Sequence, residues 1–237
     1  MEPSLGIVIP AFRPDVDGLV GYVHELAGRL DPAAVRIELD DPRARAEDRL
    51  RAADLPPSVT LSVADRRRGK GAAITAGFEA LSTDLLLFVD ADGSTPVGSV
   101  QRVLDPLYAD RADVAAGSRR HPDSTVTSHQ TFARRHLGDG FAWLARRLLD
   151  AELYDYQCGA KALTAEWWDR VRAHLYESGF AWDIELVAMA AALGARVVEV
   201  PIEWEDRPGS TVSPVRTTLS LARALLVVRH RAKRLGS

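Results

Sequence analysis

Two aspartates that follow an apolar run are the residues of this sequence best suited to chemistry. Residues 85–89 are consecutive apolar residues, the length of a strand buried on both faces, and Asp90 and Asp92 come directly after them. Ligands of open α/β sheets bind beyond the carboxyl ends of the strands. Two carboxylates at this position are typical of a binding site for a hard divalent cation that also binds substrate phosphates. The alternative is a polar strand-to-helix turn, since Ser94 to Pro96 is a helix-start signal.

A Gly-Lys-Gly sequence at residues 69–71 is suited to binding phosphate. Its glycines let the backbone approach a ligand, a helix that begins here directs its partial positive charge at an anion, and Lys70 adds a full charge. It is not a Walker A loop, which has a longer glycine-rich run before the lysine. A turn without a ligand is the alternative.

Strand and helix patterns alternate and predict a mostly parallel sheet with helices on both faces. We expect a single α/β domain over residues 1–237, because no repeat or linker divides the chain. Polar stretches at 121–130 and 203–214 predict loops, and Pro10 breaks the first strand. The remaining strands are predicted at 35–39, 59–63, 85–89, 113–117 and 197–202, and residues 157–161 are predicted to open a further short strand. Helices are predicted at 15–30, 43–54, 72–81, 96–109, 131–149, 165–174, 182–193 and 215–234.

The totals exclude several classes of protein. Of the 237 residues, 46% are hydrophobic and 27% are charged, as in ordinary globular domains, and the net charge of −3 argues against nucleic acid as a partner. The one cysteine, Cys158, fits a reducing compartment, and we interpret it as a buried small residue rather than a nucleophile. No run approaches the ~20 apolar residues of a spanning helix, and no signal-peptide pattern is present. We expect a cytoplasmic protein, soluble or peripheral at a membrane.

Seven short motifs follow one another along the chain. They are Val8-Ile9-Pro10-Ala11, Asp40-Asp41, Gly69-Lys70-Gly71, Asp90-Ala-Asp92-Gly93, Gly117-Ser-Arg119, Gln157-Cys-Gly-x-Lys161 and Phe180-x-x-Asp183-x-Glu185. In these motifs the chain resembles the family 2 glycosyltransferases of the GT-A fold. It is most similar to the branch that transfers glucose or mannose to dolichyl and other polyprenyl phosphates. The resemblance runs from about residue 5 to 230.

The resemblance implies a donor site in the half of the chain that covers about residues 1–118. Asp90 and Asp92 would hold Mg²⁺ or Mn²⁺ against the diphosphate of a nucleotide sugar. Asp40 or Asp41 would accept hydrogen bonds from the base, as only an acceptor can. Further donor-binding positions carried over from the family are Pro10, Lys70, Gln157 and Lys161.

The donor loops also depart from the family pattern. Arg13-Pro14 replaces the usual Asn-Glu, and Pro42-Arg43 replaces Gly-Ser after the base-binding aspartate. Ser94 stands where the mannosyl branch has glutamine, which is nearer the glucosyl pattern. UDP-glucose is therefore the favoured donor, and GDP-mannose is the second.

An acceptor half is implied at about residues 119–214. Arg119 and Arg135, or its neighbour Arg134, would clamp donor and acceptor phosphates, with Arg207 assisting. Asp183 and Glu185 diverge by roughly 200° on a helix, and the family motif favours Asp183 as a positioning group or base. The catalytic residues implied are Asp92, Asp183, Arg119 and Arg135.

The C-terminal helix, at about residues 215–235, has an amphipathic pattern with a basic end at 229–234. It either rests on anionic lipid headgroups or packs into the core, with its cations complementing the helix dipole. The sequence thus predicts a metal-dependent, inverting transfer of a hexose to polyprenyl phosphate beside a membrane. The rivals are transfer to a sugar hydroxyl and a catalytically silent protein that binds nucleotide sugars.

Overall fold

A computed structural model describes residues 2–127, 140, 143–205 and 214–236, which form alternating strands and helices. In chain order the elements are β1 (Leu5–Phe12), α1 (Val16–Leu30), β2 (Ala34–Asp40), α2 (Ala44–Ala52), β3 (Val59–Ala64), α3 (Lys70–Glu79), β4 (Leu85–Val89), α4 (Val97–Tyr108), β5 (Val114–Ser118), β6 (Thr125–Thr127), α5 (helical at 143–148), β7 (Ala160–Thr164), α6 (Ala165–Val171), a 3-10 turn (Arg172–His174), α7 (Trp182–Ala192), β8 (Val197–Pro201), β9 (Glu203–Glu205) and α8 (Pro214–Leu235).

The main sheet has seven strands in the order β3-β2-β1-β4-β7-β5-β8. β1 to β4 are parallel to one another and β5 is parallel to β8, whereas β7 runs antiparallel to both of its neighbours. The mostly parallel sheet predicted from the sequence is therefore confirmed. Because β7 is reversed, its first residues lie at the same edge of the sheet as the carboxyl ends of the other six strands.

The strand order places a crevice between β1 and β4. β1 pairs with β2 as far as Phe12, opposite Asp40, but it pairs with β4 only as far as Val8, opposite Phe88. Such a point, where the strand order reverses, is where open α/β sheets bind ligands. Pro10 lies inside β1, two residues beyond the last pair with β4, so the predicted break at Pro10 is wrong.

Side chains of β4 alternate between two hydrophobic cores, one on each face of the sheet. Leu86 and Phe88 join a core that includes residues of α3, α7 and α8, whereas Leu85, Leu87 and Val89 join a core with α1 and α4. This alternation follows from the two-residue period of a strand. Burying one such side chain contributes about 1.5–3 kcal/mol, so both faces hold the end of β4, and with it Asp90, in place.

Two predicted loops contain short strands. β6 and β9 pair in parallel to form a second, two-stranded sheet, and the Glu205 N–H donates to the Ser94 carbonyl, 2.9 Å away, beyond the end of β4. Three-residue strands lack the length for a clear two-residue pattern, which is why the sequence predicted only loops at 121–130 and 203–214. Most of the helix predicted at 131–149 lies outside the described residues.

The last helix packs one face into the protein. Leu221, Leu225 and Val228 are buried in the core shared with α7, whereas Leu226 and Val227 are 58% and 47% exposed. This matches the core-packed alternative for the buried face. Within the described ranges, no helix has the combination of length and apolar character needed to cross a bilayer.

Candidate active site

Four charged side chains form a continuous chain of ion pairs at the carboxyl edge of the sheet. The Lys70 ammonium lies 3.0 Å from Oδ1 of Asp90 and 3.1 Å from Oδ2 of Asp183. Lys161 lies 2.8 Å from the other oxygen of Asp183 and donates to the Cys158 carbonyl, also at 2.8 Å. Asp183 therefore joins both lysines, and Lys70 joins Asp183 to Asp90.

Each member of this network comes from a different element. Lys70 begins α3, Asp90 follows β4, Lys161 is the second residue of β7, and Asp183 lies in the first turn of α7. The amino end of a helix favours both an anionic Asp183 and an anionic ligand near Lys70. Both ammonium groups also lie over the Phe88 ring, 5.1 and 5.6 Å from its centroid.

The network favours the charged forms of Lys70 and Asp90. Burial alone would lower the pKa of Lys70, but Asp183 and Asp90 outweigh it and hold that pKa well above its usual value. Partial burial would raise the pKa of Asp90, but Lys70, Arg119 and Lys161 hold it below its usual value. At neutral pH the site therefore has charged ammonium and carboxylate groups side by side.

Asp90 and Asp92 fit a divalent cation that is shared with a substrate. The side chain of Asp90 is 43% exposed, and the exposed Asp92 accepts the Ser94 N–H at 2.9 Å. Within the described part of the chain, no cluster of three or more His, Cys, Asp or Glu side chains makes a ready metal centre. A cation held by these two carboxylates would complete its coordination with water and phosphate oxygens, as Mg²⁺ does.

Gly159 leaves the space in which the Asp90 carboxylate lies. A Cβ at this position would sit 1.8 Å from Oδ2 and 2.2 Å from Cγ of Asp90, and the Asp90 N–H donates to the Gly159 carbonyl at 2.9 Å. Sequence reasoning missed this residue, although it lies inside the Gln157-Cys-Gly-x-Lys161 motif. The signal that could have identified it is a glycine directly before a strand.

The two candidate base-binding aspartates have different surroundings. Asp40 is buried; Oδ2 accepts the backbone N–H groups of Arg68 and Gly69, at 2.7 and 2.9 Å, and Oδ1 accepts Arg68 Nε at 2.8 Å. It therefore holds the loop that leads into α3, where Gly69 has a φ of +100°. Asp41 is only partly buried and has a φ of +44°. Of the two, Asp41 has the side chain more open to a ligand.

Arg119 forms a bidentate ion pair with Asp155, and sequence reasoning missed the aspartate. Its Nε and one terminal nitrogen lie 2.7 and 3.0 Å from the two carboxylate oxygens. Burial alone would raise the pKa of Asp155, but Arg119 outweighs it and holds the pKa well below its usual range. Arg119 also lies 5.6 Å from the centre of the Trp204 ring. This arginine is fixed in position rather than free to swing.

The remaining predicted positions border the network. The Gln157 amide donates to the Phe180 carbonyl at 3.4 Å, and Pro10 lies beside the crevice in β1. Cys158 is fully buried, and burial raises its pKa to about 12, as expected for a small core residue. Arg134, Arg135 and Arg207 lie outside the described residues.

Comparisons with known proteins give the family. The model of glycosyl transferase family 2 matches residues 39–161, just over half of the chain. Glycosyltransferase AglD of Haloferax volcanii is 30% identical over 79% of this chain and 29% of its own length. The dolichyl-phosphate beta-glucosyltransferase of Mus musculus is 31% identical over 70% of this chain and 53% of its own. The chain thus spans about half or less of these two curated relatives.

A third relative is matched over most of its length. The polyprenol monophosphomannose synthase of Mycolicibacterium smegmatis is 30% identical over 85% of this chain and 77% of its own.

Solved structures share the fold. Mannosyl-3-phosphoglycerate synthase from Rubrobacter xylanophilus superimposes with a TM-score of 0.73 at 16% identity, covering 99% of this chain and 76% of its own. Glucosyl-3-phosphoglycerate synthase from Mycobacterium tuberculosis, in complex with Mn²⁺, UDP and phosphoglyceric acid, gives 0.68 at 15% identity, with coverages of 97% and 78%. The GT-A fold expected from the sequence is confirmed, and the chain belongs to glycosyltransferase family 2.

Proposed function

We propose that this protein transfers a hexose from a nucleoside diphosphate sugar to a polyprenyl or dolichyl phosphate, with UDP-glucose as the first candidate donor and GDP-mannose as the second. The observation that carries the proposal is the position of Lys70. It begins α3 at the edge of the crevice and lies 3.0 Å from Asp90. Phosphate-binding and metal-binding groups are thereby adjacent at the point where this class of sheet binds ligands.

On the donor side, the chain's own groups would bind and orient the diphosphate. Lys70 and the N–H groups at the start of α3 would receive its oxygens, and Asp41 would accept hydrogen bonds from the base. Asp90 and Asp92 would hold Mg²⁺ or Mn²⁺, which supplies positive charge to a departing nucleoside diphosphate. The neighbours crystallised with Mn²⁺ or Mg²⁺ and UDP support this choice of metal and nucleotide.

On the acceptor side, the surroundings of Asp183 favour a phosphate over a sugar hydroxyl. A hydroxyl acceptor needs a general base, whereas a phosphate is already an anion near neutral pH. Both oxygens of Asp183 are held by lysines at 2.8 and 3.1 Å, so accepting a proton there would break two buried ion pairs. Asp183 is therefore better suited to positioning charge than to removing a proton.

The reaction would be a single displacement with inversion at the anomeric carbon. An acceptor phosphate oxygen forms the new bond to C1, the bond from C1 to the donor diphosphate oxygen breaks, and the electron pair leaves with the nucleoside diphosphate. Arg119, fixed by its ion pair with Asp155, would lie on the acceptor side. Such a lipid acceptor would bring the working protein to a membrane surface, and the names of the dolichyl-phosphate and polyprenol relatives support this acceptor class.

The test is transfer of labelled glucose or mannose into an organic-extractable product. Purified protein is incubated with UDP-[¹⁴C]glucose or GDP-[¹⁴C]mannose, Mn²⁺ and polyprenyl phosphate in detergent. We expect label in the lipid phase, lost on Asp92→Asn but retained in the matched control Asp105→Asn, an exposed carboxylate of α4. Product formed only on free glycans, supplied as acceptors in a parallel incubation, would favour the hydroxyl acceptor. Nucleotide binding without turnover, unchanged by Asp92→Asn, would favour a silent binding protein.

A further inference from the structure

Lys70 contacts one of the two carboxylates proposed to hold the metal ion. Its ammonium is 3.0 Å from Oδ1 of Asp90, and Asp90 is one of the two carboxylates assigned to the divalent cation. A cation on Asp90 would therefore stand a few ångströms from a charged ammonium in a partly desolvated site, where like charges repel strongly. The Lys70 ammonium thus balances the negative charge of Asp90, as a bound cation would.

Lys70 would keep an anionic partner if it moved away from Asp90. Its second partner, Asp183, is 98% buried and is fixed from the other side by Lys161 at 2.8 Å. Its side chain is only 12% exposed and lies over the Phe88 ring, so it remains in the site whichever anion it faces. An arriving diphosphate would give Lys70 a new anionic partner and release Asp90.

We propose that Lys70 is an internal counter-ion for the metal ligand Asp90, so that the divalent cation and the donor diphosphate each bind well only with the other. Lys70 disfavours the cation alone, because the two positive charges repel each other and compete for the same carboxylate. The diphosphate removes that competition by drawing Lys70 toward itself. This inference rests on the proposed function, since it needs the metal and the nucleotide to meet at Asp90.

The decisive measurement is Mn²⁺ affinity in the absence of nucleotide, because different roles of Lys70 predict different signs. Free Mn²⁺ is followed by electron paramagnetic resonance during titration of wild type, Lys70→Met and Lys70→Gln. Glutamine keeps a hydrogen-bond donor but removes the charge. Lys233→Met, at an exposed lysine of α8, is the matched control for the loss of one positive charge. Thermal melting confirms that each variant is folded.

We expect both Lys70 variants to bind Mn²⁺ alone about 10-fold more tightly than wild type, within the range of ordinary coupling between two ligands. They should bind UDP more weakly, and UDP should improve Mn²⁺ affinity less than in wild type. By linkage, Mn²⁺ should improve UDP affinity less, by the same factor. Lys233→Met should match wild type throughout.

Two outcomes would overturn this inference alone. Unchanged Mn²⁺ affinity in folded Lys70→Met and Lys70→Gln would show that Lys70 contacts only phosphate, and weaker Mn²⁺ affinity would show that it merely supports the site. Either result, with wild type binding UDP and Mn²⁺, leaves the proposed function standing. If wild type binds no UDP in the presence of Mn²⁺, the proposed function fails and this inference fails with it.

Discussion

Lys161 and Asp183 form an almost completely buried ion pair, with the ammonium 2.8 Å from Oδ1 and side-chain exposures of 0% and 2%. Lys161 lies between two neighbouring strands, opposite Phe88 in β4 and Ala116 in β5. The pair joins the centre of the sheet to the first turn of α7. It thereby fixes Asp183, the carboxylate that holds Lys70 in the site.

Replacing Lys161 should destabilise the protein strongly. Lys161→Met leaves Asp183 with Lys70 alone, and breaking a buried pair from one side costs about 3–5 kcal/mol. Urea unfolding measures the free energy of unfolding for this variant, for Asp183→Leu and for the double variant. The double variant should lose less than the sum of the two single losses, since neither charge of the pair is then left behind. Strict additivity would contradict an energetic link between the two residues.

Gly159→Ala should impair catalysis more than stability. The new Cβ would displace the Asp90 carboxylate, which it would approach to 1.8 Å, and a shift of about 1 Å at a catalytic group can cost about 100-fold in rate. Initial rates of lipid glycosylation and a thermal melt are compared with Gly21→Ala in α1, where a Cβ would meet no atom within 4 Å. The control should keep its activity and gain about 1 kcal/mol, as alanine replaces glycine in a helix. Equal activity in the two variants would contradict this role for Gly159.

Asp155 should make the fold sensitive to acid. Burial opposes ionisation, but Arg119 holds the pKa of folded Asp155 below the value of about 3.9 that it has in an unfolded chain. Its contribution to stability is therefore complete above about pH 4 and is lost as the pH falls further. Urea midpoints from pH 7 to pH 3 should fall less steeply for Asp155→Asn than for wild type. A variant curve parallel to that of wild type would contradict this assignment, and Asp105→Asn serves as the control.

Arg231→Met should weaken the attachment of α8 to α7, the helix that contains Asp183. Glu185 is fully buried and accepts the N–H groups of Tyr176 and Glu177, both at 2.8 Å, together with the guanidinium of Arg231. Removing Arg231 leaves a buried carboxylate without its cation, which should cost about 3 kcal/mol or more. Arg223→Met, at an exposed arginine of the same helix, should change stability by less than about 0.5 kcal/mol. Similar urea midpoints for the two variants would rule out this anchor.

Cys158 should resist thiol reagents in the native protein. It is completely buried, and burial raises its pKa to about 12, so little reactive thiolate exists at pH 8. Ellman's reagent should report no thiol until denaturant is added and one thiol afterwards, because the chain has a single cysteine. Rapid labelling without denaturant would show that this end of β7 opens readily.

Local pattern was sufficient for most of the elements. The apolar run 85–89 has the bounds of β4, and helical periodicity placed α1, α4, α7 and α8 within two residues of their observed ends. The predictions of these elements are right because burial on a strand or helix face imposes a regular spacing of apolar residues. The same patterns did not reveal that β7 is antiparallel or that β6 pairs with β9, since spacing records which side of an element is buried but not which element covers it.

The sequence by itself determined which charged groups are available at the candidate site: Asp90 and Asp92 at a strand end, Lys70 at a helix start and, through the family motif, Asp183 in preference to Glu185. Only the tertiary structure decided how these groups are paired. Lys161 and Asp183 are 22 residues apart, Arg119 and Asp155 are 36 apart, and Asp40 is joined to Arg68 across 28. The physical reason is that an ion pair depends on distance in space, and the strand order of the sheet, with α3 and α7 beginning near its carboxyl edge, is what brings these charges within about 3 Å.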